Sequence, residues 1–259
     1  MNNGAIGVYD SGFGGLSVWR ELHDSLPAES LIYLGDGKNC PYGGRSKEQI
    51  AAFAEAAVGR LLSEGCKMIV VACNTATAAA IDKLRGRWTD TPIVGLEPAI
   101  KPACERSKTR RVGVLATAHS LAGDMFHRTA ERYAADVEVV AAVGEGFVEI
   151  VEQGMESTPE AEQAVRRVVE PMLARGVDTI VLGCTHYPFL RRQIECVVGD
   201  RRVEIIDSGK AVARRVADLL DRLSLRADGG HMPQYRFLSF ADEEYRMRLE
   251  SKAFDRAGY

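Results

Sequence analysis

Two cysteines stand at places in the sequence where a thiol can do chemistry. Cys73 follows Met68-Ile69-Val70-Val71-Ala72 and precedes Asn74-Thr75; Cys184 follows Thr179-Ile180-Val181-Leu182-Gly183 and precedes Thr185-His186. Each segment reads as a strand, a cysteine, polar residues and then a helix. A thiol at the carboxyl end of a parallel strand lies beside the next helix N-terminus, where unpaired N–H groups and the dipole favour an anion. That setting promotes the thiolate. Asn74 and Thr75 are read as caps of the first helix. Thr185 is read as the cap of the second, with Pro188 in its first turn. Two such thiols facing one pocket suit three chemistries: a redox disulfide, a metal site, or an acid/base pair. Redox pairs usually sit close in sequence, and these do not. A metal site would recruit His186 and Asp10, yet no Cys-x-x-Cys or His-x-x-His spacing supports one. As an acid/base pair, one thiolate takes a proton from one face of a carbon and a thiol on the other face returns one, which is a stereoinversion.

The remaining cysteines read differently. Cys66 and Cys196 lie within or at the end of helices among apolar residues, and Cys104 lies in a helical stretch; all three are expected to be small buried hydrophobes, while Cys40 lies in a loop. His186 gains interest from its place two residues after Cys184. Asp36 ends a strand and is either a loop cap or a member of the binding site, and Glu152 falls on a helix. His23, His119, His127 and His231 have no motif around them and read as surface groups. The eight lysines, Lys67 among them, read as solvated, and none sits in a setting for a pyridoxal phosphate Schiff base.

The elements that must hold these groups alternate throughout. Strands are expected at 5–9, 30–35, 68–72, 92–95, 112–116, 137–140, 179–183, 203–206 and 235–240. Helices are expected at 47–64, 75–87, 122–133, 159–175 and 210–223, with another from Asp242. Alternation of this kind argues for parallel sheets covered on both faces, with ligands at the carboxyl ends of the strands. The Cys73 and Cys184 segments also resemble one another. Each follows an earlier strand that ends in polar residues, Asp10-Ser11 in one case and Thr117 in the other, at a similar offset. The chain therefore reads as a duplicated design with a site between its halves.

Composition narrows the function. The 259 residues carry 33 Lys and Arg against 36 Asp and Glu, a net charge of −3, which offers no footprint for nucleic acid. No apolar run is long enough to span a membrane, and no basic-then-apolar leader is visible. A cytoplasmic protein with free thiols is expected.

Asp10-Ser11-Gly12-Phe13-Gly14-Gly15, Pro41-Tyr42-Gly43, Cys73-Asn74-Thr75-Ala76, Leu115-Ala116-Thr117 and Gly183-Cys184-Thr185-His186-Tyr187-Pro188 resemble, in order and spacing, the motif series of the glutamate racemases. These belong to the aspartate/glutamate racemase family. The resemblance runs from Ile6 to about Phe254. It implies two similar parallel-sheet α/β domains related by pseudo-twofold symmetry, with the active site in the cleft between them. The expected domains are 1–97 plus 208–259, and 98–207. It further implies cofactor-independent interconversion of L- and D-glutamate, with D-glutamate supplied to peptidoglycan.

Residue by residue, it implies Cys73 and Cys184 as the catalytic acid/base pair, helped by Asp10 and His186. Substrate binding is implied for Asp10, Ser11, Pro41, Tyr42, Gly43, Asn74, Thr75, Thr117, Thr185 and His186. Asp36, Ser120 and Glu152 are further candidates. A homodimer is implied, and no metal, nucleic acid or membrane. The chain departs from the family pattern at Gly37-Lys38-Asn39-Cys40, at Ala118-His119-Ser120 and at Gly144-Glu145-Gly146, all on the expected pocket rim.

Three other readings compete. Gly12-x-Gly14 after a strand, with Asp36 ending the next strand, resembles part of a dinucleotide fingerprint. Ser17 replaces its third glycine, and Asp10 would repel a pyrophosphate. A non-catalytic binder of small acids would use the same pocket. Amide hydrolysis through one cysteine and His186 would leave the other cysteine without a role.

Overall fold

The computed structural model describes residues 3–255, which divide into two compact units, 3–96 with 209–255, and 97–208. Residues 1–2 and 256–259 of the expected first domain lie outside the described residues.

The first unit runs β1 (Ile6–Asp10), α1 (Leu16–Ser25), β2 (Leu31–Gly35), α2 (Lys47–Ser63), β3 (Met68–Val71), α3 (Asn74–Arg87) and β4 (Ile93–Gly95). The second runs α4 (Ile100–Arg106), β5 (Arg111–Ala116), α5 (Ala118–Ala122), α6 (Asp124–Tyr133), β6 (Glu138–Val143), α7 (Phe147–Gln153), α8 (Pro159–Ala174), β7 (Thr179–Leu182), a 3-10 turn at Tyr187–Leu190, α9 (Arg191–Val198) and β8 (Glu204–Ile206). The chain then returns to the first unit with α10 (Gly209–Arg222), β9 (Tyr235–Ser239) and α11 (Glu243–Phe254).

Each unit is an α/β domain on a wholly parallel sheet, as the alternating pattern implied. The strand orders are β4-β3-β1-β2-β9 and β6-β5-β7-β8. Read from the other edge, the second sheet is β8-β7-β5-β6, the same winding as the first four strands of the other unit. β1 corresponds to β5 and β3 to β7. In both sheets the connections leave these two central strands in opposite directions. This is the switch point where a crevice opens at the carboxyl ends of a doubly wound sheet.

The central strands are apolar because both faces are covered: every residue of β1, β2, β3 and β7 is buried. In the second unit, Ile100, Ala103 and Cys104 of α4 and Phe126 of α6 pack on Val112, Val114 and Val181. Ser46 starts α2 with a reciprocal capping box to Gln49. The helix expected over 122–133 is α6, starting at Asp124; a separate short helix, α5, precedes it, and the extended Gly123 is the C-cap of one and the N-cap of the other.

Two expectations about burial are corrected. Cys196 is exposed, since it lies on the outer face of α9, whose buried residues are Ile194, Val197 and Val198. Lys67 is not solvated: its ammonium lies 2.7 Å from Glu29 Oε2, with both side chains 2% exposed. Glu29, in the turn before β2, meets this ammonium inside the fold. Cys66 and Cys104 are buried as expected, and burial pushes the Cys66 thiol up to about 12.

Candidate active site

In the first unit the switch point is flanked by Asp10 at the end of β1, Ser11 after it, and Cys73-Asn74-Thr75 after β3. Asp10 is fully buried, and its Oδ1 accepts the Gly12 amide at 2.8 Å, which folds the glycine-rich loop back over the strand end. A Cβ on Gly15 would stand 2.4 Å from Asp10 Cβ, so only glycine lets the start of α1 come this close. Tyr33 donates its phenol proton to the Gly12 carbonyl at 2.6 Å and pins the same loop.

Cys73 is itself the N-cap of α3. Its Sγ accepts the Ala76 amide at 3.4 Å and donates to Ser11 Oγ at 3.7 Å. This corrects the expectation that Asn74 and Thr75 cap the helix: both already belong to α3. Asn74 is buried, and its Oδ1 has no hydrogen-bond partner among the described residues. A buried acceptor of that kind is costly unless something binds it.

The loop after β2 carries Pro41, Tyr42 and Gly43, with a cis peptide between Cys40 and Pro41. Asp36 is fully buried and turns inward to this loop. Its carboxylate accepts Asn39 Nδ2 at 3.0 Å on both oxygens and the Tyr42 hydroxyl at 2.6 Å. The Tyr42 oxygen lies 2.7 Å from that of Tyr9.

In the second unit the equivalent switch point is flanked by Thr117 after β5 and Cys184 after β7. Thr117 caps α5, with its Oγ1 accepting the Ser120 amide at 3.2 Å and donating to Ser120 Oγ at 2.9 Å. Cys184, Thr185 and His186 are all buried. Cys184 Sγ lies 3.8 Å from His186 Nδ1, and His186 Nε2 lies 2.7 Å from Glu152 Oε1. Thiol, imidazole and carboxylate thus form one line. The expected α-helix after Cys184 is a 3-10 turn capped at His186 without a side-chain bond, and α9 begins only at Arg191. Pro188 at the turn start and the tight His-Tyr-Pro spacing favour the shorter helix. Cys184 is therefore next to an imidazole, and Cys73 next to a helix N-terminus.

Tyr187 closes the wall behind Cys184. Its ring meets Phe147 edge-on at 5.1 Å and its hydroxyl donates to the Gly144 carbonyl at 3.4 Å. Burial first, and then the Cys184 thiolate, holds its phenol well above the ordinary range. A Cβ on Gly144 would meet the Tyr187 hydroxyl at 2.6 Å, which gives the departure at Gly144-Glu145-Gly146 a packing role.

Sequence reasoning missed Tyr9, Tyr33 and Asn39, whose contacts span separate elements. Of the other histidines, His231 is bonded to Ser30 Oγ at 2.8 Å and His23 stacks on Trp19.

The fold and the family match together place the protein in a class of isomerase, the amino-acid racemases. The Asp/Glu/Hydantoin racemase profile matches residues 6–216, and the chain belongs to that family, among its glutamate racemases. The glutamate racemase of Herpetosiphon aurantiacus is 50% identical over 220 residues, covering 85% of this chain and 86% of its own. Among solved structures, Escherichia coli glutamate racemase in complex with L-glutamate and the activator UDP-MurNAc-Ala superposes with a TM-score of 0.86. It is 31% identical, and the match covers 97% of this chain and 95% of that one. The Francisella tularensis enzyme in complex with D-glutamate superposes with a TM-score of 0.83 at 26% identity, covering 98% of this chain and 94% of that one.

Proposed function

We propose that this protein interconverts L- and D-glutamate by moving a proton at the α-carbon between Cys73 and Cys184, with no cofactor and no metal. The observation that carries the reading is the repeated placement of a buried thiol after the same strand of two identically wound sheets, each beside a polar partner, Ser11 or His186.

One cysteine, as thiolate, takes the α-proton. The C–H bond breaks, an S–H bond forms, and the electron pair is left on the α-carbon and its carboxylate. The other cysteine, as thiol, gives its proton to the opposite face and becomes the thiolate. The product has inverted configuration, and the enzyme is poised for the reverse reaction. Glu152 accepts from His186 Nε2, which leaves Nδ1 to take or return the Cys184 proton.

The α-proton is weakly acidic, so the barrier must fall through preorganised charge and exclusion of water. Amides of the Ser11, Tyr42, Asn74 and Thr185 segments are proposed to hold the carboxylates, together with Gly43, Thr75 and Thr117, while Pro41, which has no N–H to donate, lines the site and shapes the loop. Asp10 and the Asn74 acceptor are proposed to receive the ammonium group. Ser120 supports Thr117. We further propose cytoplasmic location, a homodimer, domain limits at 1–97 plus 208–259 and 98–207, and supply of D-glutamate to peptidoglycan. No helix of the described residues is long and apolar enough to cross a membrane.

The test is deuterium uptake at the α-carbon of either enantiomer in D₂O with no cofactor added. Uptake with inversion is expected. Its absence from both enantiomers would remove the proposal. Loss of activity to a strong chelator would revive the metal site.

A further inference from the structure

A buried chain of hydroxyls runs behind the Pro41-Tyr42-Gly43 loop. Tyr42 donates to Asp36 Oδ2 at 2.6 Å, and a phenol has one proton, so Tyr9 is the donor in the 2.7 Å contact between Tyr9 and Tyr42. The chain therefore runs in one direction, from Tyr9 to Tyr42 to Asp36. Tyr9 and Asp36 are fully buried and Tyr42 is 2% exposed. Burial holds both phenols protonated far into the alkaline range.

Asp36 gathers the rest of the loop as well. Its carboxylate takes both contacts of the Asn39 amide, and its carbonyl accepts the Asn39 and Cys40 amides, each at 3.2 Å. Its own amide donates to the Asp10 carbonyl at 3.0 Å, tying this hub to the end of β1. On the other side, a Cβ on Gly37 would lie 2.3 Å from the Tyr245 ring, so α11 closes the loop from behind. Hydrogen bonds to an ionised group are among the stronger ones in a fold. Here they converge on one carboxylate, whose neighbours in sequence are the loop proposed to hold substrate.

We infer that Asp36 and Tyr9 are positioning residues for glutamate. Through the phenol of Tyr42 they set the backbone of the 41–43 loop at the height where its amides meet a substrate carboxylate. Asp36 acts on substrate through Tyr42 and Asn39, without touching it. The inference rests on the racemase reading for its substrate and on the hydrogen-bond chain for its geometry.

The test uses Tyr9→Phe, which removes the outermost hydroxyl and keeps the ring, Asp36→Asn, which removes the charge, and the double variant. The expected result is a KM for glutamate raised about tenfold in Asp36→Asn and about threefold in Tyr9→Phe, the size of one or part of one hydrogen bond. The kcat of Tyr9→Phe stays within about twofold of wild type. Because both act through one chain, the double variant raises KM no further than Asp36→Asn alone. Amide hydrogen exchange over 37–43 speeds up in each variant. Unchanged KM, additive effects, or unchanged exchange over the loop would each overturn the inference. Wild type that fails to racemise glutamate would instead overturn the racemase reading, and loop exchange alone would then decide the positioning role.

Discussion

Glu152 Oε1 lies 2.7 Å from His186 Nε2. A carboxylate on one imidazole nitrogen fixes the tautomer and leaves the other nitrogen for the thiol. Glu152→Gln keeps an acceptor but loses the charge. We expect kcat/KM to fall about 10- to 100-fold, the equivalent of a charge-assisted hydrogen bond. The fall must be equal in the two directions, because the equilibrium constant between enantiomers is one. Full progress curves followed by circular dichroism from each enantiomer check both points. An unchanged rate would leave Glu152 with a structural role only.

The Glu29–Lys67 pair is buried on both sides, and Glu29 Oε1 also accepts the Ala227 amide at 3.0 Å. Lys67→Met strands a carboxylate inside the protein and should lower stability by about 3–5 kcal/mol. Adding Glu29→Gln should recover much of that loss. Urea unfolding of the single and double variants reads the difference. Equal stability of Lys67→Met and wild type would show that the pair is dispensable.

Asp178 ties the turn before β5. Its carboxylate accepts Ser107 Oγ at 2.6 Å and the Lys108 and Thr109 amides at 2.6 and 2.7 Å. Burial pulls its pKa up, but these hydrogen bonds, with one from Thr179, outweigh it and hold the carboxyl below the usual range. A depressed carboxylate stabilises the fold fully above its unfolded pKa near 4 and loses that contribution as pH falls through the folded value. With solvent screening the contribution is about 1 kcal/mol. Asp178→Asn should therefore lower Tm by about 3 °C at pH 7, and the gap to wild type should close toward pH 3. A gap that does not narrow as pH falls below about 4 would contradict the account.

The sheets were legible in the sequence because buried parallel strands are apolar on both faces. Runs such as Met68–Val71 and Thr179–Leu182 therefore stand out. Both cysteines could be located for the same reason, each being the residue that follows or nearly follows such a run. The caps were less legible. A cysteine is a rare N-cap, so the sequence points to Asn74 and Thr75 ahead of Cys73. The 3-10 turn after Cys184 and the break at Gly123 depend on local backbone angles that spacing does not reveal. The Tyr9–Tyr42–Asp36 chain was invisible because it joins the ends of two strands to a loop, and an inward Tyr on a buried strand looks like any other core residue. The burial of Lys67 is not visible in the sequence because its partner, Glu29, comes from a distant segment.

The two-thiol mechanism is tested most directly by Cys73→Ala and Cys184→Ala, each incubated with L- and with D-glutamate in D₂O. The readout is α-deuterium and configuration of the recovered amino acid. Each variant keeps one base and lacks the acid on the opposite face. The account predicts no inversion by either variant. It also predicts exchange with retention from at most one enantiomer, and from the opposite enantiomer in the other variant. Inversion that persists in either variant would contradict it.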